Sequence, residues 1–145
     1  MSNGQTRTDV ATRVADAADY PVIARIQAQC PEAAQWPLGD YSNFEVVLAV
    51  LDGVVAGFCA WRQTAGDEAE LLNVAVDPRV RKQGVASALL EELRRRANGT
   101  IFLEVAEGNS TARALYRRAG WTEVSARKDY YGPGRNAIVM KKSSC

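Results

Sequence analysis

One stretch of this chain leaves few folds open. Residues 71–90 read Leu-Leu-Asn-Val-Ala-Val-Asp-Pro-Arg-Val-Arg-Lys-Gln-Gly-Val-Ala-Ser-Ala-Leu-Leu. An apolar strand ends at Asp77-Pro78, a basic turn from Arg81 to Ala86 carries one glycine, and a helix begins with the apolar spacing Val85, Leu89, Leu93. The first N–H groups of a helix have no intrahelical partner, and they point outward with the positive end of the helix dipole. Such a terminus suits an anion, phosphate or pyrophosphate above all. Gly84 and Ala86 leave the backbone approachable, and Arg81 and Lys82 add charge. The plainer reading is an ordinary strand–turn–helix with a solvated basic turn, because short glycine motifs recur by chance.

A length of 145 residues with 47% hydrophobic and 24% charged side chains predicts one domain with a full core. The net charge of +1 gives no reason to expect nucleic acid or membrane as partner. Met1 to Asp9 is polar and reads as a flexible lead-in, neither signal peptide nor membrane span, which predicts a cytoplasmic protein. The chain has no histidine. That excludes Ser-His-Asp and Cys-His nucleophile pairs and histidine-ligated metals, so a general base must be Glu, Asp, Lys, Tyr or water. Three scattered cysteines suggest neither a disulfide framework nor a metal site. Cys59 reads as a small core residue and Cys145 as a mobile free thiol.

Along the chain, Thr12 to Ala15 reads as a first strand. Asp16 or Asp19 can cap the helix that follows, with Pro21 in its first turn. Cys30 to Ser42 reads as loop, with a short helical turn around Glu32 to Gln35. Its Trp36 is either part of a binding loop or a plug in the core. Glu45 to Leu51 and Val54 to Arg62 form a hairpin through Asp52-Gly53. Glu68 to Val76 is a strand, Gln83 to Asn98 a helix closed by Gly99, and Ile101 to Val105 a strand. Asn109 to Ala119 is a helix ended by Gly120. Trp121 to Ala126 and Ala137 to Lys141 are the last strands, separated by a loop from Lys128 to Asn136. The fold class is α/β with a mixed sheet.

The strand with Leu103-Glu104-Val105, then Asn109, then Ala114-Leu115-Tyr116 with Gly120-Trp121, stands at a set distance behind the Arg81-x-x-Gly84-x-Ala86 turn. In order and spacing, from about Arg13 to Lys141, this resembles the GCN5-related N-acetyltransferase (GNAT) family. Leu103-Glu104-Val105 and the tail Tyr130-Tyr131-Gly132 resemble its N-terminal α-amine branch, the ribosomal-protein-alanine N-acetyltransferases. The resemblance implies a GNAT domain over residues 11–142 behind a lead-in at 1–10. Its sheet would be mixed, mostly antiparallel, of six to seven strands flanked by about four helices and splayed to hold acetyl-CoA. It implies direct acetyl transfer through a ternary complex to a protein N-terminus, that of a small-subunit ribosomal protein being one such acceptor. It implies no metal, and a monomer or weak dimer.

The resemblance also assigns residues. Acetyl-CoA would be held by the backbone of Val74, Ala75 and Val76, by the turn Arg81, Lys82, Gln83, Gly84, Val85, Ala86 and Ser87, and by Asn109 and Tyr116. Asn109 can equally be only a helix cap. Glu104 would be the base. By strand alternation it shares a face with Phe102, and a carboxylate in a partly buried cleft beside an aromatic is a better base than one in water. Tyr116 would be the general acid, since a phenol with a pKa of about 10 stays protonated at neutral pH. An α-amine, with a pKa of about 7.7–8.0, sets such a base an easier task than a lysine at about 10.4. The acceptor would meet Trp36, Asn73, Tyr130 and Tyr131. Ala86 stands where the family often has a second glycine and Ser87 where a basic residue is common. Gly134-Arg135-Asn136-Ala137 lacks the acid often found before the last strand. Alternative readings are a GNAT enzyme for a lysine or small amine, and a module that senses acetyl-CoA without turnover.

Overall fold

The computed structural model describes residues 10–143; the expectations for Met1 to Asp9 and for Cys145 lie outside them. The chain sorts into two compact units. One comprises the described residues through Arg62 together with Leu72–Leu93, the other Gln63–Leu71 together with Arg94 onward.

The first unit begins with β1 (Val10–Val14), already including Val10, antiparallel to β2 (Glu45–Leu51). β2 pairs in turn with β3 (Val54–Ala65), which is three residues longer than its apolar run suggested. Asp52 and Gly53 both have positive φ, 53° and 77°, as a tight hairpin turn requires. Val46 to Ala49 are all buried, so both faces of β2 are covered. α1 (Tyr20–Ala28) follows a 3₁₀ turn, Ala17–Asp19, which Asp16 caps through Ala18 N–H. Pro21 sits in the first turn of α1. Ile23 and Ile26 then pack with Tyr41, Leu48 and Phe58 in one core.

The helical turn of the 30–42 stretch lies at Leu38–Asn43, as 3₁₀, and not around Glu32 to Gln35. Two local causes explain the shift. The Gln35 amide donates to the carbonyls of Gln27, Cys30 and Ala33, so 32–35 serves to close the end of α1. Pro37 then starts the turn, its carbonyl accepting from Asp40 N–H at 2.9 Å.

In the second unit, the start of β4 (Glu68–Val76) pairs in parallel with β5 (Thr100–Ala106), Glu68 to Glu70 opposite Thr100 to Phe102. β5 is antiparallel to β7 (Ala137–Ser143), and β7 to β6 (Thr122–Arg127), with a register shift between Glu123 and Ser125. α3 (Ser110–Arg118) starts at Asn109, whose side chain accepts from Ala112 N–H. The turn after α2 (Val85–Arg96) needs Gly99: its φ is +82°, and a Cβ there would lie 1.8 Å from Asp67 O. The strand order is β1-β2-β3-β4-β5-β7-β6, a mixed sheet with helices, as expected of the fold class.

Candidate active site

The basic turn belongs to the first unit. Val85, Leu89 and Leu93 are all buried and anchor α2, while Arg81, Lys82, Gln83, Gly84 and Ser87 stay exposed at its start. Ala86 is half-buried. Lys82 and Gly84 have φ of 67° and 83°, and a Cβ on Gly84 would meet no atom within 4 Å. Space therefore lies open over the turn. Gly84 O accepts from Ala88 N–H at 3.0 Å, so the amides ahead of Ala88 have no carbonyl one turn back to bond. Arg81 is not simply a loose cation: it pairs with Glu32 at 2.8 Å and lies 3.6 Å from Cys30 Sγ. Asp77 organises the approach. It caps the 3₁₀ turn Pro78–Val80, takes Arg79 at 2.7 Å and Arg25 at 3.4 Å, and its carboxyl is held well below the usual range, chiefly by Arg79.

On β4, Ala75 is buried and Val74 and Val76 are half-buried. The carbonyl of Val76 is occupied by the Cys30 thiol at 3.3 Å, a contact the sequence reading missed. Asn73 faces inward. Its amide donates to Ala34 O at 2.9 Å, to the Tyr41 hydroxyl at 3.0 Å and to Gln27 Oε1 at 3.3 Å. Tyr41 also donates to Gln27 Oε1, whose amide in turn holds Trp36 O. Trp36 is half-buried; its indole N–H bonds Leu72 O at 3.2 Å, and its ring meets Phe44 edge-on at 5.2 Å. The structure thus gives Trp36 and Asn73 to one buried polar network that pins the 30–42 stretch to β4.

Glu104 lies in the second unit, on the face of β5 that it shares with Phe102. Its side chain is 15% exposed and faces a cavity of about 260 Å³ lined by Glu68, Glu70, Phe102 and Arg127 among others. Arg127 donates to Glu104, and the same carboxylate raises the pKa of the nearby Tyr130 hydroxyl. The Arg127 guanidinium lies 4.5 Å from the centre of the Tyr130 ring, and Tyr130 meets Tyr131 edge-on at 5.0 Å. Burial, and then the charge of Glu104, raise the Tyr131 pKa. The 128–136 loop that carries both tyrosines is closed on itself: Asp129 N–H donates to Asn136 Oδ1 and Gly134 N–H to Asp129 Oδ1. Glu104, Tyr130 and Tyr131 therefore lie together, with Arg127 as a partner that the sequence did not reveal.

Tyr116 is buried in the same unit, 5.8 Å from the Trp121 ring. Asn109 is a helix cap in fact, its Oδ1 spent on Ala112 N–H at 3.1 Å. Cys30 and Cys59 are free thiols, both buried, and burial pushes both thiol pKa values up. Among the described residues no His/Cys/Asp/Glu group could hold a metal ion, and no helix is long and apolar enough to cross a membrane.

Comparison with known proteins bears on all of this. The acetyltransferase (GNAT) family profile matches residues 14–121. The Escherichia coli (strain K12) protein named ribosomal protein bS18-alanine N-acetyltransferase is 42% identical over 107 residues, 69% of this chain and 70% of that one. The crystal structure of the E. coli ribosomal-protein-S18-alanine N-acetyltransferase superposes with a TM-score of 0.77 at 29% identity, covering 93% of this chain and 94% of that one. Arabidopsis thaliana NAA60, solved in complex with acetyl-CoA, shares the fold with a TM-score of 0.80 at 16% identity, over 93% and 98% of the two chains.

Proposed function

The chain belongs to the GNAT family of acetyltransferases, and from that premise we propose that it moves the acetyl group of acetyl-CoA to the N-terminal α-amine of a protein. Residues 11–142 form the acetyltransferase domain in this reading. The acceptor class follows the 42% identical bS18-alanine N-acetyltransferase, so the N-terminus of a small-subunit ribosomal protein is the substrate to try first.

The observation that carries the reading is the setting of Glu104. It is a largely covered carboxylate opening on a cavity whose other acids, Glu68 and Glu70, favour a cationic amine. Glu104 takes the proton as the amine nitrogen attacks the thioester carbonyl. The carbon–nitrogen bond forms, the carbon–sulfur bond breaks, and Tyr116 gives its proton to the leaving sulfur. The turn 81–87 suits the coenzyme's pyrophosphate: the amides of Val85, Ala86 and Ser87 precede the Ala88 N–H to Gly84 O bond, and open space stands where a Gly84 side chain would be. Val74, Ala75, Val76 and Asn109 complete the coenzyme side. Tyr130 and Tyr131 flank the acceptor, while Asn73 and Trp36 serve it by fixing the 30–42 stretch. Direct transfer is favoured because the chain has no histidine, and the cysteines among the described residues, Cys30 and Cys59, are buried thiols unsuited to carry the acetyl group.

The test is acetyl-CoA turnover against short N-terminal peptides, lysine peptides and polyamines. A peptide with the bS18 N-terminus should be the best acceptor. A faster lysine peptide or polyamine would move the enzyme to another acceptor class, and no turnover with any amine would refute the reading. Glu104→Gln should lose most rate at pH 6–7 and recover toward the parent as the α-amine deprotonates above about pH 8.

A further inference from the structure

We propose that Arg127 is a positioning residue that occupies Glu104 as an internal stand-in for the acceptor's ammonium and is displaced when the amine enters. The inference rests on the reading of Glu104 as the base. It starts from one geometric fact: the carboxylate assigned to the amine is already bonded by a cation of the same chain. The register explains how. Glu104 and Ser125 both lie opposite Val139, on the two sides of β7, and Arg127 is two residues on from Ser125, at the end of β6. Two strand spacings separate Glu104 from β6, about 9–10 Å, a gap that an arginine side chain crosses.

The arrangement holds the guanidinium without burying it. Arg127 is 55% exposed, so it can swing into solvent without a large desolvation change. Tyr130 gives it a ring face at 4.5 Å, and Glu70 acts on the same guanidinium from β4, so Arg127 keeps favourable neighbours once it leaves Glu104. Tyr130 stands beside Glu104 as well, and the carboxylate raises the pKa of its hydroxyl. An incoming ammonium offers one positive charge and three donors in place of the guanidinium fork. The exchange conserves charge, so it suits a cationic acceptor and gives a neutral one nothing to offset the broken pair. Arg127 is thus a built-in competitor for the acceptor site.

Steady-state kinetics on the full chain test this, with the bS18 N-terminal peptide and acetyl-CoA varied in turn. Arg127→Gln removes the competing charge and keeps a polar side chain of similar reach. The peptide KM should fall about two- to fivefold, the range to which an exposed ion pair of ordinary strength converts, with the acetyl-CoA KM unchanged. Arg127→Lys keeps a competing cation and should stay within about twofold of the parent. Calorimetric titration of the peptide into the coenzyme A complex gives the same ordering without turnover. A merely structural role would raise the peptide KM in Arg127→Gln, or lower the melting temperature by more than the roughly 1–4 °C that loss of an exposed ion pair converts to, and either result overturns the proposal. So does an unchanged peptide KM, or an equal drop with lysine. In these cases an active parent leaves the acetyltransferase reading standing; a parent inactive on every amine takes both down.

Discussion

Gly57 of β3 is where the packing beneath the basic turn can be probed with one methyl group. The residue is buried, opposite Ala49 of β2. A Cβ there would lie 2.7 Å from Ala75 O, 3.2 Å from Val85 Cγ1 and 3.3 Å from Leu89 Cδ1. Two effects of Gly57→Ala oppose each other. Alanine restricts the unfolded chain, worth about 0.4–1 kcal/mol of stabilisation. Overpacking a tight core costs about 1–3 kcal/mol. The methyl groups of Val85 and Leu89 can turn aside, but the Ala75 carbonyl is strand backbone and can move only with β4. Overpacking wins, and the net loss is about 1–2 kcal/mol. For a chain of this size that lowers the melting temperature by roughly 3–6 °C. Val85 opens α2 directly after the turn 81–84, so coenzyme A affinity should fall too. Gly39→Ala is the control: nothing lies within 4 Å of its Cβ, and its stability should stay within about 0.5 kcal/mol of the parent. Differential scanning calorimetry decides. A Gly57→Ala melting temperature equal to or above the parent's would refute the argument that β4 backbone cannot yield.

Gly84→Val should raise the coenzyme A dissociation constant at least about tenfold by calorimetry. Its folding cost should stay near 1–3 kcal/mol, because only the positive φ is strained and the space around it is open. Tyr116→Phe should keep the acetyl-CoA KM and lose about 10²–10⁴-fold in kcat; a full rate with the parent's best peptide would make Tyr116 a packing residue. Asp77 has a depressed pKa, so its stabilisation is complete above the unfolded value of about 3.9 and is lost as pH falls below it. Asp77→Asn should therefore lower the urea midpoint at pH 7 and flatten its fall below about pH 4; an acid slope equal to the parent's would exclude Asp77 as a cause.

What could be read in the sequence were features that a few neighbouring residues decide. Glu68–Val76 is a strand at the expected bounds, Asp52-Gly53 turns the hairpin, and Asn109 caps α3, because in each case side chain and backbone act within about four residues. Asn73 shows a signal that was present and outweighed. It alternates with Ala69, Leu71 and Ala75 on β4, and that parity alone places it on the buried face. The 3₁₀ turn at Leu38–Asn43 was not legible, since its position depends on side-chain bonds that no periodicity encodes: Gln35 and Gln27 reach 8 and 9 residues along the chain, and Asn73 reaches 39.

Arg127 was hidden for a further reason. Nothing within four residues of it foretells a carboxylate partner 23 positions away. The pairing exists only because β7 inserts between β5 and β6, which sets Glu104 and Ser125 opposite the same residue, Val139. The motif residues of the family were legible as a pattern because spacing along the chain encodes them. Their counter-charges are encoded in strand order instead, and strand order is a part of this fold that no local run of residues spells out. If Arg127 does restrain Glu104, the acceptor preference of such a chain is set partly at a position that motif comparison of β5 and α3 alone would pass over.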